Sequence, residues 1–337
     1  MKTRRVVRFD YWLDPAFEER LGREPGVSLS LLRRQGAEAE GWAALAGAHV
    51  YQVSAAKDEL PRQWWVSEAL LARSPELLCV SSSGAGYDTI DAAACTRAGV
   101  AVLNQSGANA RSVAEHAIGF VLALAHRIVE SDRRLRRERG FAREALMGRE
   151  LAGRTLGLVG IGHCGTQVAA LAKPFGLEVI AFDPYVDADA VRSRGARKVE
   201  LAELLASADF VSLHCPRNAE TLGMFGEAAF ARMKRGAFFI STARGGIHDE
   251  PALEAALRAG HLAGAGLDVW DREPPPLDHP LLARDDVIAT YHTAGVTHEA
   301  RRRMASSAAE QIVDLLNGRR PRNLVNPEVW PALERKL

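Results

Sequence analysis

From about residue 50 onward, short apolar runs alternate with longer runs in which apolar residues recur at three- and four-residue spacing. The segments LLCVSSS (77–83), VAVLN (100–104), TLGLVG (155–160), EVIAFD (178–183), FVSLHC (210–215), AFFISTA (237–243), GAGLDVW (264–270) and VIATYHTA (287–294) predict strands. Between them, GTQVAALAKPFG (165–176), LAELLASA (201–208) and EPALEAALRAG (250–260) predict helices. Strand and helix in repeated alternation give parallel sheets covered by helices on both faces, an α/β fold.

One longer apolar run, Arg111 to Glu138, keeps helical period and contains no proline, so it predicts a single helix joining two domains. Residues 1–107 form the first domain and 108–297 the second on this reading. A helix over 298–318 and the polar, proline-rich tail to residue 337 return to the first. The expected architecture is therefore two Rossmann-like, doubly wound parallel-sheet domains with a cleft between them. A chain of 337 residues is long enough for two such cores.

Composition narrows the class further. Hydrophobic residues make up 47% and charged residues 25%, and 43 Lys plus Arg nearly balance 42 Asp plus Glu. That balance gives no reason to expect nucleic acid or an acidic membrane as partner. The basic clusters at Arg133–Arg139 and Arg301–Arg303 are interleaved with acidic or apolar residues and read as solvated helix faces. Cys79, Cys95, Cys164 and Cys215 are far apart and match no metal or disulfide spacing, so reduced thiols, a cytoplasmic setting and no metal are expected. The basic N-terminus has no apolar core of a secretory signal, and no window approaches about 18 uninterrupted apolar residues.

The stretch TLGLVGIGHCGTQVAALAKPFGLEVIAFDP (155–184) carries the clearest chemistry. Gly160, Gly162 and Gly165 complete G-x-G-x-x-G at the end of a predicted strand, a helix follows at once, and Asp183 ends the next strand about 20 residues on. Gly160 permits the sharp turn, Gly162 lets backbone approach a pyrophosphate, and Gly165 lets the helix pack closely on the sheet. The free N–H groups at the helix N-terminus suit phosphate. Asp183 would accept hydrogen bonds from both ribose hydroxyls and repel a 2′-phosphate, which favours NAD over NADP. His163 is a loop residue beside the phosphates.

Three more polar residues lie just past predicted strand ends: Arg244 after AFFISTA, Glu273 after GLDVW, and His292 within ATYHTAG. In an open parallel sheet the carboxyl ends of the strands line the ligand crevice, so these positions converge on the cofactor.

With these motifs in order, the chain resembles the D-isomer-specific 2-hydroxyacid dehydrogenase family. The matching stretches are GAGYDTID (84–91), SVAEHAIGFVLAL (112–124), GLVGIGHCG (157–165), STARGGIHDEPAL (241–253), AGLDVWDREP (265–274) and TYHTAGVT (290–297). The resemblance implies an NAD-dependent oxidoreductase that reduces a 2-oxo acid to the D-2-hydroxy acid, with a flavodoxin-like substrate domain. His292 would be the general acid in reduction and the base in the reverse reaction. Glu273 would hold its tautomer and favour the protonated ring. Arg244 would bind the substrate carboxylate through its charged fork, joined by the backbone of Gly84, Ala85 and Gly86. Asp268 would meet the nicotinamide carboxamide, and Cys164, Cys215, Thr221, Ala243 and Ala294 would line the cofactor beside the glycine loop and His292.

The chain departs from the family pattern at Tyr291, where proline is usual before the histidine, and at His163, where arginine is common. The segment Val50 to Trp65 is where a loop over the substrate side chain is expected, with Lys57 as an exposed turn residue. A homodimer through the Val113–Val129 region is expected, because that helix carries more apolar surface than one intradomain contact needs. With no extended C-terminal region, the serine-feedback control of long phosphoglycerate dehydrogenases is not expected. Two other readings share the fold: an NADH-sensing corepressor-like binding protein with little turnover, and a formate dehydrogenase-like hydride transferase. Glu273 stands against the second, since that group carries glutamine there.

Overall fold

The computed structural model describes residues 3–337, which divide into two compact units. The first comprises the chain up to Asn109 together with Thr297–Leu337, and the second is Ala110–Val296.

The first unit is built on five parallel strands, β1 (Arg4–Phe9), β2 (Val27–Leu32), β3 (Val50–Val53), β4 (Cys79–Ser82) and β5 (Ala101–Leu103), in the order β2-β1-β3-β4-β5. This is the flavodoxin-like doubly wound order. Side chains alternate between its faces. Val7, Phe9, Tyr51, Val53, Val80 and Val102 pack with Leu45, Trp64 and Leu70 on one side. Val6, Val50, Cys79, Ala101 and Leu103 pack on the other against the helix His298–Leu316. That helix presents Ala305, Ala308 and Ala309, whose small side chains let it lie close to the sheet, and Thr297 caps its first turn by accepting from the Ala300 N–H at 3.2 Å. One expectation is corrected here. The segment from Val50, read as the start of a substrate loop, opens with β3, the buried central strand. The turn with exposed Lys57 follows it.

The second unit contains β6 (Thr155–Val159), β7 (Glu178–Phe182), β8 (Arg197–Lys198), β9 (Phe210–Leu213), β10 (Phe238–Ser241), β11 (Gly264–Leu267) and β12 (Val287–Ala289), all parallel, in the order β12-β11-β10-β9-β6-β7-β8. The order reverses between β6 and β9, which places the topological switch point at the carboxyl ends of those two strands.

The long helix expected over Arg111–Glu138 is two helices, Ala110–Ala125 and Ile128–Arg137, bent by 58° at the break. Arg127 occupies the corner with φ 53° and grips Glu130 and the Ala145 carbonyl with its guanidinium. The physical reason is burial. The first helix sinks Ala114, Ala117, Phe120, Val121 and Leu124 into the core of its own unit, whereas the second has no buried residue and gains nothing by continuing along the sheet. No single helix among the described residues is long and apolar enough to cross a membrane.

Candidate active site

The glycine loop joins β6 to the helix His163–Ala172 at the switch point. Gly160 has φ 92°, and a Cβ there would lie 2.8 Å from the Cys215 nitrogen at the end of the neighbouring strand. A Cβ at Gly165 would collide with the Gly160 carbonyl oxygen, so both positions exclude larger residues sterically. At Gly162, by contrast, an added Cβ meets no atom within 4 Å: that side of the loop is open. The helix starts there without a side-chain cap, which leaves its first-turn N–H groups and positive dipole end for an anionic ligand. These features fit a dinucleotide pyrophosphate, and NAD bound here would supply or accept hydride.

Asp183 closes β7, where its carboxylate accepts from the Ile161 N–H at 3.0 Å and the Tyr185 N–H at 3.0 Å. Each oxygen retains a lone pair for a ribose hydroxyl. His163, expected on the loop, is instead the exposed first residue of the helix, because the helix begins directly after Gly162. Cys164 and Cys215 flank the loop, and burial pushes both thiols up to about 11, with the Arg244 charge pulling Cys164 partly back. At neutral pH they are neutral lining groups rather than nucleophiles. Thr221 donates its hydroxyl to the Pro216 carbonyl at 2.6 Å, bracing the loop after β9. His214, which the sequence reading passed over, is half-buried beside Gly160; desolvation of its ring pushes it down to about 4, so it is a neutral ring held by Ser212 Oγ at 2.9 Å.

Past β10, β11 and β12 the catalytic candidates meet within the same unit. Gly245, after Arg244, lies so close to the Trp270 carbonyl that only glycine fits, which seats the Arg244 turn against the loop bearing Glu273. The half-buried Arg244 guanidinium bonds the Ala243 carbonyl at 2.6 Å. Glu273 accepts from the Trp270 N–H at 3.2 Å and from His292 Nδ1 at 2.9 Å. Burial alone would push its carboxyl up; the hydrogen bond and charge of His292, the Trp270 N–H and the charge of Arg244 outweigh this and hold it below the ordinary value. A carboxylate can only accept, so Nδ1 carries a hydrogen and Nε2 is left as the atom for proton exchange. His292 sits at φ 47° with its side chain 41% exposed.

Asp268 is fully buried, and its carboxylate accepts from Thr290 Oγ1 at 2.6 Å, the Thr293 N–H at 2.8 Å and the buried Ala294 N–H at 2.9 Å. It staples the segment that carries His292. A second carboxylate–histidine pair lies behind the first: Glu250 accepts from His279 Nε2 at 3.0 Å and from the Asp271 N–H at 2.8 Å, while burial pushes its carboxyl up. Glu250 stands in the STARGGIHDEPAL stretch, but nothing local to it points to His279, 29 residues along the chain, so the pairing was hidden in the sequence.

In the first unit, Gly84, Ala85 and Gly86 form the turn after β4. Ser82 Oγ donates to the Gly86 carbonyl at 2.5 Å, the Gln105 N–H to the Gly84 carbonyl at 2.9 Å, and Asn104 Nδ2 to the Ala85 carbonyl at 2.9 Å. With these carbonyls engaged, the turn is fixed within its own unit. Among the described residues, no group of three or more His, Cys, Asp or Glu is arranged to hold a metal.

A glycine loop at the switch point of a doubly wound sheet, with an arginine and a carboxylate-paired histidine beyond neighbouring strands, defines a dinucleotide-binding domain built for redox chemistry. The chain belongs to the D-isomer specific 2-hydroxyacid dehydrogenase family: residues 118–294 match the model of that family's NAD binding domain. It is 39% identical over 289 residues to the D-3-phosphoglycerate dehydrogenase of Archaeoglobus fulgidus, covering 82% of this chain and 55% of that one. It is 40% identical over 259 residues to the glyoxylate reductase of Korarchaeum cryptofilum, covering 76% and 78%. Among solved structures, the D-lactate dehydrogenase of Aquifex aeolicus complexed with NAD and lactic acid superposes with a TM-score of 0.80 at 27% identity, covering 95% of this chain and 99% of that one. The chain spans about half the length of the curated phosphoglycerate dehydrogenases it matches.

Proposed function

We propose that this chain is an NAD(H)-dependent oxidoreductase that interconverts a 2-oxo acid and its D-2-hydroxy acid. The observation that carries the reading is the 2.9 Å contact between His292 Nδ1 and Glu273, which leaves Nε2 outward in the same unit as the uncapped glycine-loop helix. The family, and the relatives named for reductases and dehydrogenases of small 2-hydroxy acids, support it.

In the reduction, the Arg244 fork holds the substrate carboxylate and draws electron density from the adjacent 2-oxo group. As hydride reaches C2, His292 passes its Nε2 proton to the carbonyl oxygen, and the Glu273 carboxylate stabilises the imidazolium before transfer. In oxidation the neutral ring takes the hydroxyl proton. Asp183 reads the ribose hydroxyls, the 163–172 helix N-terminus holds the phosphates, and Cys215, Thr221, Ala243, Asp268 and Ala294 border the cofactor.

We place the chain in a reducing, cytoplasmic setting on the strength of its four unpaired cysteines. A homodimer belongs to the same reading, and its support lies at the end of the region first expected and just beyond it. The 110–125 helix is spent on its own core, whereas Ile128, Leu135 and Met147 are exposed beside a cavity of about 640 Å³ at the amino edge of the second sheet. Apolar side chains left uncovered on one face suit a second copy.

The test is NADH oxidation by the purified protein against glyoxylate, hydroxypyruvate, pyruvate, phenylpyruvate and 3-phosphohydroxypyruvate. Turnover of at least one supports the reading and names the pocket. NADH binding with no acid reduced removes its support and favours a dinucleotide-sensing protein.

A further inference from the structure

The helix Ala110–Ala125 reaches the His292 segment with two side chains, Ser112 and His116, which four-residue spacing places on one face. Ser112 Oγ donates to the Ala294 carbonyl at 2.7 Å. His116 Nε2 lies 3.1 Å from Thr290 Oγ1 and 3.8 Å from Asp268 Oδ1. Thr290 has one hydroxyl hydrogen, and the 2.6 Å contact with the carboxylate of Asp268 commits it there. Thr290 is therefore the acceptor toward His116, and Nε2 of His116 carries the hydrogen. The edge-on contact with Phe120, 4.6 Å between ring centroids, fixes the plane of the imidazole.

The far end of this chain of bonds is the acid–base histidine. Asp268 takes the N–H groups of Thr293 and Ala294, and its own carbonyl accepts the His292 N–H at 2.7 Å. His292 occupies the left-handed region at φ 47°, which is strained for a non-glycine residue and persists only where the surroundings over-determine it. The bonds from Asp268, with His116 and Ser112 behind them, are such surroundings.

We infer that His116 is a positioning residue for the reaction: through Thr290 and Asp268 it holds the 290–294 segment so that the His292 ring stays on Glu273. The inference rests on the dehydrogenase reading above. It assigns His116 no proton transfer and no contact with substrate. Asp268 is the charged group against it, and the hydrogen bond it donates is what the segment requires.

The experiment compares full-length His116→Phe, which keeps a flat ring but no donor, with His116→Gln, which restores an N–H toward Thr290. Melting temperature, NADH affinity by fluorescence, and kcat and KM are read across the neutral range for an acid that the wild type reduces. For His116→Phe we expect kcat to fall about tenfold, and the alkaline limb of kcat/KM to move down by about half a pH unit as the His292–Glu273 contact loosens. His116→Gln should recover most of both. A purely structural role would lower the melting temperature and leave the pH profile in place.

Thr290→Val, which cuts the relay while leaving His116, should reproduce the phenylalanine phenotype, and it decides the matter if His116→Phe does not fold. An unmoved profile in the two relay-breaking variants, or equal losses in the glutamine and phenylalanine variants, overturns the inference while the dehydrogenase reading stands. A wild type that reduces no 2-oxo acid overturns both.

Discussion

The arrangement at Glu273 and His292 sets what single substitutions should do. Glu273 is held below its ordinary value, so it is a carboxylate throughout the neutral range and gives the His292 ring both its tautomer and a charge partner. Glu273→Gln should lower kcat/KM for reduction by about 10- to 100-fold and shift its alkaline limb to lower pH, because the imidazolium loses its counter-charge. A pH–rate profile that keeps its shape would contradict the pairing. Arg244→Lys should raise KM for the 2-oxo acid about tenfold or more while leaving NADH affinity near the wild-type value, since a point charge does not replace a fork. Loss of NADH binding instead would move Arg244 from substrate to cofactor. These three residues were legible in the sequence because each follows a strand run and falls in register with the glycine loop. His116, His214 and the Glu250–His279 pair were not. His116 and Glu250 stand in stretches that resemble the family and His214 ends a strand run, but the partners Thr290 of His116 and His279 of Glu250 stand far along the chain, where no local spacing reveals them.

At the scale of elements, the glycine loop yields two contrasting expectations. Gly162→Ala adds a methyl that meets no protein atom, so the melting temperature should stay while NADH affinity falls about tenfold or more from loss of the close phosphate approach. Gly165→Ala drives a Cβ into the Gly160 carbonyl, so it should lower both. Equal NADH affinity in Gly162→Ala and wild type would mean that the open side of the loop is not where the phosphates bind. A second element-level feature is Asp209, at the start of β9. It bonds Lys234 at 2.8 Å and the Thr155 N–H at 3.0 Å, with Arg154 at 3.5 Å. Burial pushes its carboxyl up, but these partners together bring it below the ordinary value. With the folded value depressed, the stabilisation is present above the unfolded value of about 3.9 and is lost as pH falls through the folded one. Asp209→Asn should cost about 1–3 kcal/mol at neutral pH by urea unfolding, and a difference that survives below the folded value would contradict that origin. The strands of the second unit other than β8 were readable from apolar runs ending in chemistry-bearing residues; β8 is the charged pair Arg197 and Lys198 and carries no apolar run. The first three strands were not, because β1 and β2 mix charged or polar residues with apolar ones and β3 carries Tyr51 and Gln52 in four residues. The break at Arg127 was also hidden, since Ile128 and Val129 continue the apolar run across it.

For the molecule as a whole, two histidines whose rings are desolvated contribute to the acid limb of stability. Burial pushes His214 and His248 down to about 4, and neither ring nitrogen of His248 has a partner among the described residues. In the unfolded chain these rings bind protons below about 6.5, so between that value and about 4 the unfolded state holds more protons and stability falls as the pH drops. His248→Leu should flatten this limb when melting temperature is followed against pH; an unchanged slope would assign the loss to other groups. Two doubly wound sheets were legible from the alternation of runs, since period and order survive even where element ends shift by a few residues. The central claim is that the second unit binds NADH at the glycine loop and uses His292 as the proton donor. One measurement tests both halves most directly: NADH affinity and kcat for a reducible 2-oxo acid, determined on the same preparations of wild type and His292→Ala. The expected result is an NADH affinity within about threefold of wild type and a kcat lower by a factor of about 100 to 10,000. A variant that binds NADH and turns over at the wild-type rate would contradict the assignment of His292 as the acid.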